Sequence, residues 1–187
     1  MSAAPTFRRP PTAQEAVLAE LRRAILEGDM RPGTQILQDS VAELSYEELV
    51  EVYRIRELLE GEAMSVAIEK ITPEDIARME EAIEDMERAD SATDIVALTA
   101  ANRRFHFAVI DPCERPRLIK FIRQLWDMTD PYRSVYFADA ASRKLVNKEH
   151  REIIKAAKAG RTQDCLEAMN RHRRNAVIRL ENLLLEP

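Results

Sequence analysis

Glycine is scarce in this sequence. Its 187 residues include 4 glycines, where average usage of about 7% would give roughly thirteen. Aromatic residues reach only 5%, with a single tryptophan. Few glycines and few β-branched or aromatic runs argue against sandwiches, barrels and glycine-loop nucleotide folds. Cysteine is limited to Cys113 and Cys165, with no CxxC spacing. That fits a reduced protein better than a disulfide framework. No apolar run approaches the ~20 residues that cross a bilayer, and the opening MSAAPTFRRPP lacks a signal peptide's apolar segment. A cytoplasmic protein with a flexible arm over residues 1–11 is expected.

Hydrophobic residues supply 45% and charged residues 33% of the chain. This length buries one ordinary domain, or one domain with a small appendage, and the composition leaves an all-α fold. The net charge of −5 advertises no nucleic-acid partner, but its distribution is uneven. Tyr46 to Asp94 holds 16 acidic and 5 basic residues, whereas Ser142 to Arg179 holds 11 basic and 4 acidic. Acidic and basic helices lying side by side, with solvated faces partly compensating, explain this more simply than a binding patch.

Helix signals recur along the chain. Thr12-Ala13-Gln14-Glu15 is a capping box, and its helix carries Val17, Leu18, Leu21, Ala24 and Ile25 at helical spacing before Gly28. Arg31-Pro32-Gly33-Thr34 is a turn, and a short helix is expected from Asp39 to Glu43. Ser45-Tyr46-Glu47-Glu48 opens a long helix whose stripe is Leu49, Val52, Tyr53, Arg56, Leu59, Ala63, Val66 and Ala67. Thr72-Pro73-Glu74-Asp75 starts the next, with proline in the favoured first turn, running to about Ala89. Further helices are predicted over 93–110, 116–128, 131–140, 142–159 and 162–184, with breaks at Pro112, Pro116, Pro131 and Gly160. From Ser45 onward these form an antiparallel helical bundle.

The chain has three histidines, His106, His150 and His172, each in a different predicted helix. Asn102 lies one turn before His106 on the same face. One reading is a metal site inside the bundle, since imidazole suits zinc, nickel and iron, and an Asn102 oxygen adds a weaker contact. The other makes His106 a hydrogen-bonded core residue and leaves His150 and His172 exposed among lysines and arginines. Spacing alone, without a CxxC or HExxH motif, tilts toward the second. Arg56, on the apolar side of its helix, needs either an internal carboxylate or an anionic ligand. Tyr132, Arg133 and Tyr136 cluster nearby and could line the same cavity, although Arg133 by default snorkels at the surface. Trp126 reads as core or dimer interface. No catalytic triad, phosphate loop or catalytic carboxylate pair stands out, so no enzyme is expected.

The stretch TAQEAVLAELRRAILEGDMRPGTQILQDSVAE resembles the start of the winged helix-turn-helix domain of GntR-family bacterial transcription regulators. From Leu44 onward, SYEELVEVYRIRELLEGEA, NRRFH, EHREIIKAAKAG and AMNRHRRNAV resemble the FCD effector-binding domain of the FadR subfamily. That resemblance implies a divalent metal, zinc or nickel, held by an Asp and three His beside a small organic acid. The Asp position falls on Asn102, and the histidine positions on His106, His150 and His172, which reverses the preference for the core reading. Arg56 takes the place of the arginine that reaches the ligand's carboxylate, and Tyr136 falls near a pocket aromatic position; Arg133, from the cluster on the same helix, is the third ligand-binding candidate. The family continues after its "LAE"-like sequence with a recognition helix and β-wing. Here Glu43 runs directly into LSYEEL, so those elements are missing from this sequence, and the DNA-contacting residues stay unknown.

The expected organisation is therefore an arm over 1–11, a partial winged helix-turn-helix over 12–43, and a helical effector-binding and dimerisation domain over 44–187. The expected function is a ligand-responsive transcription regulator, a homodimer that binds operator DNA through a complete N-terminal domain. The alternative is a metal-dependent small-molecule-binding protein that has lost DNA binding. A metalloenzyme is the weakest reading.

Overall fold

The structure is a computed structural model that describes residues 46–185. The arm, the Thr12 capping box, the helices before Glu43 and the Ser45 cap lie outside the described residues. Six α-helices follow in chain order: α1 (Tyr46–Ala67), α2 (Pro73–Ala92), α3 (Ile95–Ile110), α4 (Pro116–Ala138), α5 (Ala140–Lys158) and α6 (Thr162–Leu185). A single 3₁₀ turn, Asp111–Cys113, links α3 to α4. Among the described residues there is no strand. The helices are packed as the all-α bundle that the composition called for, with α2 against α3, α5 against α6, and α1 against α4 and α6.

Local chemistry sets the helix ends. Thr72 and Asp75 complete a reciprocal capping box at the start of α2. That helix runs past Ala89 to Ala92, where Thr93 turns left-handed (φ 56°) and its N–H bonds to Ala89 and Asp90 carbonyls. Asp94 caps α3 through the Ala97 N–H at 2.9 Å. Gly160, at φ +61°, supplies the left-handed residue between α5 and α6.

One predicted break moves. Helix α4 continues through Pro131 to Ala138, and the chain bends instead at Asp139. Proline lacks the N–H that the Asp127 carbonyl would meet, but a lost bond need not end a helix that is anchored on both sides. Trp126 and Thr129 before the proline, and Tyr136 and Phe137 after it, are all buried. Asp139 makes the bend, because its carboxylate accepts from the Ser142 N–H (2.8 Å) and hydroxyl (2.6 Å) and so caps α5.

The acidic and basic halves of the sequence meet across α2 and α5. Glu80 pairs with Lys158 at 2.5 Å, Glu87 with Arg151, and Asp90 with Arg143. The first two pairs are solvated on both sides, so they contribute little to stability.

Burial divides the core into two apolar clusters. One contains Met64, Ile83, Phe105, Trp126, Ile153 and Met169. The other contains Leu49, Met86, Leu98, Phe137, Val146 and Leu180. On five helices a polar stretch separates the residues of the two clusters: Arg56 and Glu60 on α1, Asn102 and His106 on α3, Thr129 and Arg133 on α4, Asn147 to His150 on α5, and His172 and Arg173 on α6. Only α2 crosses this level without a buried polar residue. A buried seam of this kind costs free energy unless its members pair with one another or bind something.

Candidate functional site

The three histidines come from three helices and converge within the seam. His106, His150 and His172 are 2%, 0% and 6% exposed, which removes the reading that leaves the latter two in solvent. Potential donor atoms from all three lie within 4.8 Å of one another. The His150 ring stacks on Phe105 with centroids 3.8 Å apart, and the His106 ring lies 4.7 Å from Trp126. Burial, followed by the neighbouring imidazoles, pushes His106 and His150 well below the ordinary histidine pKa. His172 is also lowered by burial, with Glu149 opposing the shift. The cluster is therefore three neutral imidazoles, the form in which histidine binds metals.

Nδ1 of His106 and both ring nitrogens of His150 are buried without a hydrogen-bond partner among the described residues. Such orphaned groups cost about 1–3 kcal/mol each and are rare in folded interiors. A cation between the rings would take one nitrogen from each of His106 and His150 and leave the second His150 nitrogen without a partner, so the residues present fit, in that respect, the metal that the family resemblance implies. Asn102, 3% exposed, lines the same cavity as His106 and His172.

The other wall of the cavity is cationic. Arg56, Arg133 and Arg173 line it and are 2%, 6% and 4% exposed, so Arg133 is not the snorkelling residue its position first implied. Arg56 Nε donates to Glu60 Oε1 at 2.8 Å, and Arg173 Nε donates to Glu60 Oε2 at 2.9 Å. Trp126 Nε1 also donates to Glu60, at 2.8 Å. Burial alone would raise the Glu60 carboxyl, but Arg56 and Arg173 outweigh it and hold the pKa at about 2. Arg56 and Arg133 both donate to the Thr129 hydroxyl, at 3.2 and 3.1 Å, and both guanidiniums lie over the Trp126 ring. Burial, then the Arg56 charge, lower Arg133 to about 10, and it stays protonated at neutral pH. Tyr136 closes the cavity, its hydroxyl accepting from Arg179 at 3.2 Å.

The structure thus gathers Asn102, His106, Arg56, Arg133, Tyr136 and His172 around one cavity of about 30 Å³, with His150 completing the imidazole cluster. Sequence reasoning missed Glu60, Glu149 and Arg173. Glu60 had a readable signal, standing four residues after Arg56 on the same face of α1. Glu149 accepts from Asn175 at 2.6 Å and meets His172 Nδ1 at 2.7 Å, but its side-by-side position with His150 hid that partnership.

Comparison with known proteins places this geometry. The FCD domain pattern matches residues 51–175, a span that holds all the candidate metal- and ligand-binding residues at the cavity. The chain belongs to the FCD-domain family, of the GntR/FadR type. It is 30% identical over 130 residues to the HTH-type transcriptional regulator McbR of Escherichia coli, covering 67% of this chain and 58% of that protein. It is 23% identical over 146 residues to YdhC of Bacillus subtilis, an uncharacterised HTH-type transcriptional regulator, covering 78% and 63% of the two chains. The E. coli McbR/YncC structure superimposes with a TM-score of 0.70 at 24% identity, over 89% of this chain and 79% of that one. The chain thus spans about three fifths of the two relatives' lengths. These relatives are regulators of transcription, not enzymes.

Proposed function

We propose that this chain is the effector-responsive part of a transcription regulator. In this reading Asn102, His106, His150 and His172 hold a divalent ion, zinc or nickel, and Arg56, Arg133 and Tyr136 receive a small carboxylate beside it. The observation that carries it is a buried cluster of three imidazoles, two of which, His106 and His172, line one cavity with three buried guanidiniums. When bound, the ion supplies a concentrated double positive charge that an anionic oxygen can complete.

The chain's own residues do the rest. Trp126 and Thr129 keep Arg56 and Arg133 side by side, and Glu60 ties Arg56 to Arg173 across α1 and α6. Because five helices contribute to the seam, a ligand there favours one helix arrangement over others and shifts the population toward it. A homodimer would pass this shift to two DNA-binding heads built from the segment at 12–43 and elements absent from this sequence. A second reading, metal-dependent ligand binding without DNA binding, applies where the gene itself joins Glu43 directly to Leu44. A cytoplasmic location accompanies both, and no described helix is long and apolar enough to cross a membrane.

Elemental analysis with native mass spectrometry of the purified protein tests the core of the proposal. One zinc or nickel per chain and a dimer mass are expected. Metal-free protein at neutral pH, after growth and purification without chelators, would reduce the three histidines to structural residues. A gel-shift titration on the gene's own upstream DNA separates the regulator from the second reading.

A further inference from the structure

Resting on the proposed metal site, we infer that Asn147 is the positioning partner of His150, accepting a hydrogen bond from that ring's outer N–H while its other nitrogen holds the ion. A coordinating imidazole gives the metal the lone pair of one nitrogen, so the proton stands on the other. The outer nitrogen of a metal-bound histidine is therefore a donor and needs an acceptor. His172 has one in Glu149, whose Oε2 lies 2.7 Å from Nδ1. His150 has both ring nitrogens buried and unpartnered among the described residues. The ion answers one of them, and the other is a buried donor that is costly to leave unmet.

Asn147 Oδ1 is the complementary orphan. It too is buried without a partner among the described residues, on a side chain 6% exposed. The two residues stand three apart on α5 and share a face, where Cβ atoms are about 5–6 Å apart. A direct contact or one bridging water spans that separation. The other neighbours of His150 do not compete. Glu149 has its oxygens engaged by His172 and Asn175, and consecutive helix residues do not face each other. Phe105 stacks on the ring with centroids 3.8 Å apart and has no oxygen to accept with. The remaining orphan outside the cluster, Thr99 Oγ1, stands two turns before His106 on α3, about 10 Å along the helix axis. A buried acceptor without a donor thus lies one turn from a buried donor without an acceptor. The amide brings no charge, so Asn147 orients the ring with less effect on its basicity than Glu149 has on His172.

The test starts from the metal-free full chain, with Zn²⁺ uptake measured by competition against a chromogenic chelator for wild type, Asn147→Leu and Asn147→Asp. Leucine keeps the volume and removes the acceptor, whereas aspartate keeps the acceptor. Asn147→Leu should bind Zn²⁺ about tenfold more weakly, and Asn147→Asp should bind within about threefold of wild type or tighter. Without metal, Asn147→Leu should melt at or above the wild-type temperature, because it removes a buried unpaired oxygen. A two-dimensional ¹H–¹⁵N spectrum of the histidine rings should show the outer N–H of His150 in the Zn²⁺-loaded wild type. In Asn147→Leu that signal should shift and exchange faster with water. Wild-type affinity in Asn147→Leu, no recovery in Asn147→Asp, an unmoved His150 N–H signal, or a lower metal-free melting point in Asn147→Leu overturns the inference and leaves the metal reading standing. A wild-type chain that takes up no Zn²⁺ overturns both, a result seen before any variant is compared.

Discussion

Glu149 Oε2 lies 2.7 Å from His172 Nδ1, with both side chains only 7% exposed. The contact gives the proton on Nδ1 an acceptor and leaves Nε2 free to face the cluster. Carboxylates behind ligating histidines orient the ring and raise its basicity. Glu149→Ala should therefore lower metal affinity about 10–100-fold, read by competition against a chromogenic chelator. Unchanged affinity would mean that the contact serves packing alone.

Glu60 is the hinge of the charge balance. Removing it strands Arg56 and Arg173, and Glu60→Ala should cost about 3–5 kcal/mol in urea unfolding at neutral pH. The pH dependence has a definite sign. Glu60 has its pKa lowered from 4.5 to about 2 in the folded chain, so its stabilisation is complete above about pH 4.5 and is lost as pH falls toward 2. Across that window the wild-type urea midpoint should fall more steeply than that of Glu60→Gln. Parallel curves would show that the pair does not titrate with folding.

Two glycines should respond in opposite directions to alanine. Gly160 adopts φ +61°, and no neighbouring atom lies within 4 Å of an added Cβ, so Gly160→Ala carries a backbone penalty of about 1–2 kcal/mol. Gly61 lies within α1, also in open space, and Gly61→Ala should stabilise the chain by about 0.5–1 kcal/mol. Thermal melts of the two variants check both signs at once.

Stripping the metal should destabilise the fold, because it leaves His106 and His150 nitrogens buried and unpaired. An ion present at 100 times its dissociation constant contributes about 2.7 kcal/mol, which corresponds to a fall of about 5–10 °C in Tm on adding EDTA to a chain of this size. His106→Ala should melt at the same temperature with and without the chelator. An EDTA response that survives this substitution would place the ion elsewhere.

Much of this was legible in the chain. The capping box at Thr72, the break at Gly160 and the stripe of α1 follow from local chemistry, and helical spacing alone assigns the three histidines to three different helices. The sequence predicts a break at Pro131 because proline's lost N–H is a local signal, whereas the burial of Trp126 and Phe137 that anchors α4 on both sides is tertiary. Arg133 stands among the pocket candidates, but its burial is not legible in local sequence. Its burial depends on Trp126 and Thr129, which share its helix, but also on Arg56, 77 residues earlier. The histidine cluster itself needed either a family resemblance or a fold, since spacings of 44 and 22 residues record no distance between side chains.

Trp126 has a practical consequence. It is the single indole of the chain, fully buried, bonded to Glu60, covered by two guanidiniums and close to His106. Any ion or acid that enters the cavity alters the surroundings of that one fluorophore, against no background from another. The protein thus contains its own optical probe, and occupancy can be followed in real time through the emission of unlabelled material, even before the effector is identified.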